Sequence, residues 1–257
     1  MWKEYFIYTH NTALTAGTGT NFNAINIRID SDADFEFNKT TFVATNDRVK
    51  IKYKDDSAGR YLTKGSPDIK SLAGRNILPM GLSNSHLPFV WSRPYLISAG
   101  TNFVVEAADY SNAANQLRMA FHGSKIRQGD APWDKHFRAA VPFVYSFTDG
   151  QVTLAANGTA TPHIEMDIDS HFVVHKITGI RTGDATVLVN EGARGREWSN
   201  VPVHIDNILG NGAFPNILLQ NRFRFILRGS VVSFNLQDLS GLSNIVDINL
   251  IGLKLYE

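Results

Sequence analysis

Three carboxylates at alternate positions, Asp30, Asp32 and Asp34 in IDSDADF (Ile29 to Phe35), have the spacing closest to a metal site in this 257-residue chain. Alternate acids open the calcium loop of helix-loop-helix proteins, where they converge on one hard cation. That loop also needs a glycine at its sixth position and a glutamate at its twelfth, and the chain has Phe35 and Thr41 there. A similar phrase recurs at IDSHF (Ile168 to Phe172), with Ser170 and His171 where the extra acids would stand. The acids are therefore read as a strand-ending turn, in which Asp and Ser side chains bond nearby backbone groups.

The eight histidines (His10, His86, His122, His136, His163, His171, His175 and His204) form no H-E-x-x-H motif. His171 and His175 lie four apart, which on a strand puts them on one face about 13 Å apart, beyond the reach of one zinc. Cysteine is absent, so disulfides, thiolate metal sites and cysteine nucleophiles are excluded. No G-x-S-x-G elbow or P-loop occurs, and GTGTN (Gly17 to Asn21) lacks the lysine and helix that would hold phosphate, so it reads as a hairpin turn. Glu106, Glu165, Glu191 and Glu197 have no context that marks an acid–base pair. Trp91, Trp133 and Trp198 fall in loop-like or linker stretches, where they would cap the sandwich ends or meet a neighbouring subunit or a sugar ring. RFRFILRG (Arg222 to Gly229) alternates arginine with apolar residues and reads as a solvated strand face. No residue is assigned a catalytic, cofactor-binding or metal-binding role, and no cofactor is expected.

The elements around these residues are strands. RVKIKYK sets Val49, Ile51 and Tyr53 against Arg48, Lys50, Lys52 and Lys54, the alternation of a half-buried antiparallel strand. FNAINIRI and DFEFNKTTFVA alternate similarly, and HIEMDI, HFVVHKITGI, ATVLVN, SVVSFNL and IVDINLIGLKLY continue the style. NAANQLRMAF (Asn112 to Phe121) is the best helix candidate, but its downstream counterpart is strand-like and both are read as strands. Turn clusters such as KDDSAG separate the strands, the pattern of sandwiches and barrels. A hydrophobic share of 43% against 19% charged belongs to a core-forming chain. With 25 basic and 24 acidic side chains, no net field draws it to nucleic acid or to an anionic membrane. MWKEYFIYTH does not read as a secretory signal, and no run approaches a membrane span, so a soluble protein made without export is expected.

Matches in one order suggest two copies of a unit: Ile29 with Ile168, Phe35 with Phe172, Gly59-Arg60 with Gly195-Arg196, GTNFVVEAADYS with GSVVSFNLQDLS, and LRMAFHGSKI (Leu117 to Ile126) with VDINLIGLKL (Val246 to Leu255). Gly123 and Lys125 thus align with Gly252 and Lys254, and the glycines are read as packing residues inside strands. The expected fold is all-β: two tandem, similar antiparallel β-sandwich domains of jelly-roll type from an internal duplication. Residues 1–127 form the first, 128–141 the linker and 142–257 the second.

The DF-x-F-x-K strand (Asp34 to Lys39), the two Gly-Arg turns, PFVWSRPYLISAGTNFVVE (Pro88 to Glu106) and LRMAFHGSKI together resemble the virion structural proteins of tailed bacteriophages built from small β-sandwich units. The resemblance implies a non-enzymatic, capsid-associated subunit, a head decoration or minor capsid protein, assembled in the host cytoplasm. Its partners would be other copies of itself, a trimer being favoured, and other virion proteins, with no membrane and no specific nucleic acid. A major capsid protein with two jelly rolls and a sugar-binding adhesion module of a tail fibre are the alternatives.

Overall fold

The computed structural model describes residues 1–17, 19–46, 48–63, 65–73, 88–129, 137–209, 216–217 and 224–257. The chain divides into two compact units, one of residues 6–127 and one of 128–257 joined by the first five residues, Met1–Tyr5.

The N-terminal unit is built from β1 (Trp2–Leu14, from residue 6 on), β2 (Asn23–Arg28), β3 (Asp34–Ala44), β4 (Val49–Asp55), β5 (Arg60–Tyr61), β6 (Phe89–Ile97), β7 (Asn102–Asp109) and β8 (Asn115–Arg127). One sheet runs β1-β8-β3-β6 and the other β2-β7-β4-β5. Two four-stranded antiparallel sheets in this interleaved order are a jelly roll. One helical turn, α1 (Ile69–Ala73), lies between β5 and β6.

The C-terminal unit repeats the order in more pieces. Its strands are β9 (Ala139–Ser146), β10 (Val152–Leu154), β11 (Thr159–Ala160), β12 (His163–Glu165), β13 (His171–Arg181), β14 (Ala185–Glu191), β15 (Arg196–Glu197), β16 (Val203–His204), β17 (Asn216–Ile217), β18 (Arg224–Ile226), β19 (Val231–Asp238) and β20 (Asn244–Tyr256), with a 3-10 turn at Gly192–Arg194 and a helical turn, α2 (Ile205–Ile208). β20 lies between β9 and β13, with β17 and β18 beyond β13. In the other sheet β19 lies between β14 and the pair β11 and β12, with β15 and β16 beyond β14. Reading the broken strands as one each gives the order of the first unit. β9 begins at Ala139, so residues 139–141, expected in the linker, are strand.

Alternation holds where the sequence shows it. Val49, Ile51 and Tyr53 of β4 are buried and the lysines between them half-buried. It breaks in β3, against expectation: a bulge at Asn38 lets Phe37 pair with Gly123 and Lys39 with His122. An extra residue flips side-chain parity, so Phe35 and Phe37 enter the core before the bulge and Phe42 and Ala44 after it. β13 carries the same irregularity at His175, between Val174, which pairs with Gly252, and Lys176, which pairs with Ile251. The even spacing expected for His171 and His175 on one face is lost there.

The N-terminal core is a nest of aromatic rings. Phe37 stands 5.7 Å from Trp91, 5.3 Å from Phe103, 5.6 Å from Phe121 and 6.3 Å from Tyr53, mostly tilted or edge-on. Each such ring contributes roughly 1.5–3 kcal/mol by leaving water. Trp91, expected in a loop, lies on β6 and packs against this core. Trp198 lies outside the strands, just after β15, and is wholly buried in the C-terminal unit, and Trp133 lies outside the described residues.

Candidate functional site

Two clusters of chemistry-bearing side chains recur at matching places. In the N-terminal unit Lys125 of β8 reaches Asp30 at 2.7 Å and Asp32 at 3.1 Å, and Arg127 meets Asp32 at 3.0 Å. The Asp30 backbone N–H donates to the Tyr8 hydroxyl at 2.9 Å. The Tyr8 ring meets Phe35 edge-on at 4.8 Å, and the Lys125 ammonium lies 4.2 Å from the centre of Phe6. The C-terminal unit rebuilds this from Phe143, Tyr145, Asp167, Phe172 and Lys254. Lys254 pairs with Asp167 and lies 3.8 Å from the Phe143 ring centre; the Asp167 N–H meets the Tyr145 hydroxyl at 3.3 Å; Tyr145 meets Phe172 edge-on at 4.8 Å.

The backbone around the paired aspartates is also the same. Ile29 N–H donates to Thr101 and Gly100 N–H to Asp30, while Met166 N–H donates to Ser230 and Gly229 N–H to Asp167. Asp30 therefore corresponds to Asp167, 137 residues on, and Ile29 to Met166. This corrects the pairing of Ile29 with Ile168: Ile29 is 1% exposed and Ile168 is 84% exposed. IDSHF looks like IDSDADF, but the equivalent word is MDIDS.

The charges here neutralise one another. Burial alone would raise the Asp32 carboxyl, but Lys125 and Arg127 hold it below the usual range. The Lys254 hydrogen bond likewise depresses Asp167, and burial pushes the Tyr8 and Tyr145 hydroxyls up. Lys125 and Arg127 engage the Asp30 and Asp32 carboxylates, and Asp34 accepts the Ala99 N–H at 2.8 Å. Among the described residues, no group of three His, Asp or Glu is placed to hold a metal ion.

A second repeated knot ties the turn before the last strand. Asp109 accepts the Ser111 hydroxyl and the Asn115 amide, and Asn115 holds the Asn46 backbone. Asp238, Ser240 and Asn244 do the same, with Asn244 holding Thr182, Gly183 and Asp184. Burial works to raise the Asp238 carboxyl, but hydrogen bonds from Ser240, Asn157 and Asn244 bring it to about 2. A depressed carboxyl contributes stability that is complete above its unfolded value, about 4, and is lost as pH falls through the folded value. Urea unfolding followed from pH 7 to 2 is expected to show the loss setting in below about pH 4, and Asp238→Asn to be less stable at pH 7 with a flatter acid limb.

A third cluster departs from the sequence expectation. Arg224, expected on a solvated face, is 1% exposed and lies between Glu4 at 3.0 Å and Glu191 at 3.3 Å, over the Trp198 ring; Arg222 is outside the described residues. Glu191 is wholly buried, which raises its carboxyl against the pull of Arg224 and Arg194. Glu106 pairs with Lys52, His163 with Glu165, and Glu197 belongs to β15. His171 lies between Glu257, 3.0 Å from its Nε2, and the Arg228 N–H, and His122 meets Thr41 at 3.0 Å.

No protein-family profile matches the chain, and no curated protein does. Among solved structures, the major capsid protein P2 from bacteriophage PM2 is similar over 96% of this chain and 98% of that one, at 14% identity and a TM-score of 0.27. At that score the two share too little geometry to bear on function, and the jelly-roll assignment rests on strand order.

What the surface offers is apolar edge. β9 is exposed along nearly its whole length, with Val141 43% and Val144 52% exposed. Val144 is paired beside half-buried Ile251, and Pro142 beside half-buried Leu253. Among the described residues no helix is long and apolar enough to cross a membrane.

Proposed function

We propose that this chain is a non-enzymatic structural protein of a bacteriophage particle, acting through contacts with further copies and with other virion proteins. The observation that carries this reading is the presence of two jelly rolls of one strand order in a single chain. Jelly rolls serve capsids, lectins and metal-binding cupins. Aromatic rings fill the N-terminal roll where a cupin would keep an open metal pocket, which favours contact over chemistry. The exposed apolar β9 supports association, because such an edge invites pairing unless a partner covers it. The shared Lys-Asp-Tyr clusters, Asp-Ser-Asn knots and bulges support descent from one duplicated roll. Between particle roles, the doubled roll favours a capsid shell subunit over a small head decoration.

Size-exclusion chromatography with light scattering tests this. The full chain is expected to run as a trimer or larger, and Val144→Glu on β9 to shift it toward monomer. A strict monomer at high concentration that binds on a glycan array would replace this reading with the adhesion one.

A further inference from the structure

The two rolls differ at one equivalent place, and the difference gives the first residues of the chain a task. In the N-terminal roll the buried end of β4, Asp55, accepts the Tyr95 hydroxyl at 2.5 Å, and Tyr95 in turn accepts Arg60 at 3.0 Å. One carboxylate and one guanidinium balance through a neutral phenol. The corresponding residues of the C-terminal roll are Glu191, Arg196 and Arg224. Arginine replaces the tyrosine, and Arg194 is also near, 3.6 Å from Glu191. Glu191 alone faces three guanidinium groups, and burial lowers the pKa of Arg224. A buried charge without its counter-charge is strongly unfavourable.

The missing carboxylate comes from the far end of the sequence. Glu4, 4% exposed, stands 2.9 Å from Arg196 and 3.0 Å from Arg224. Arg224 also donates to the Tyr5 carbonyl at 3.3 Å, Arg196 lies 5.7 Å from the Trp2 ring centre, and the Met1 ammonium donates to the Gly129 carbonyl. We infer that Met1–Tyr5 is a charge-latched strap: Glu4, distant in the sequence, supplies the counter-charge that the added guanidinium of Arg224, at the place of Tyr95, requires, and the strap and the charged end of β14 are stable only together. The latch is a device of the fold whether or not the chain belongs to a particle.

Hydrogen–deuterium exchange on the full chain tests it. Glu4→Gln is expected to speed exchange at least tenfold in residues 2–5 and 191–198 while leaving the core of β3 unchanged. In an Arg224→Tyr background, which restores the arrangement of the other roll, Glu4→Gln is expected to lose most of that effect on residues 191–198. Unchanged exchange in Glu4→Gln overturns the latch, as does an undiminished effect in the Arg224→Tyr background. If Arg224→Tyr does not fold, Arg224→Met serves as the background, where the same loss of the Glu4→Gln effect is expected.

Discussion

Replacing Gly252 by valine is expected to abolish the folded C-terminal roll, and Gly123→Val to do the same to the N-terminal one. A Cβ on Gly252 would sit on the Val173 carbonyl oxygen, 2.8 Å from its carbon, with the Phe172 ring at 3.0 Å. On Gly123 it would meet the Glu36 carbonyl oxygen and stand 2.6 Å from the Phe35 ring. The obstacle is backbone and a packed ring, neither of which can swing aside. The bulge opposite each glycine draws the strands together, and the ring of Phe35 or Phe172 lies against the gap. Overpacking of this kind costs about 3 kcal/mol or more. The contrast is Gly59→Ala: that residue has φ +62° and open space around it, so only the left-handed backbone penalty of about 1 kcal/mol applies. Urea unfolding of the three variants checks the order; a Gly252→Val protein as stable as Gly59→Ala would refute the close-approach account.

These glycines show what the sequence could and could not reveal. Their pairing with Lys125 and Lys254 was legible, because x-G-x-K repeats on matching strands. The reason for the glycine was only half legible, because the bulge lies on the partner strand, at Asn38 and His175, where the letters give no warning. Strand content followed from period-two alternation, which local sterics and one-sided burial impose. Alternation failed at Arg224: an arginine between apolar residues reads as solvated unless its counter-charge is known, and Glu4 lies 220 positions away. The Ile29 and Ile168 words matched by spelling alone. Hydrogen bonding placed the true equivalents two residues off, at Asp30 and Asp167. Tertiary partners decided each of these cases, and no window of neighbours contains them.

Phe37→Ala is expected to cost about 3–5 kcal/mol, and to cost it in one unit only. Phe37 is wholly buried and touches four other rings on β4, β6, β7 and β8, so truncation leaves a cavity walled by aromatic planes that cannot collapse into it. The residues of that core cluster all lie between Phe6 and Phe121. If each roll encloses its own interior, the loss is confined. Hydrogen exchange should accelerate along β3, β4 and β8 and stay unchanged in β14 and β19. Trp91→Ala gives the scale, being half-buried at the margin of the same nest, and its cost is expected to be smaller. Acceleration spread equally over both units would mean that they unfold as one body, and the picture of two separately filled rolls would fail with it.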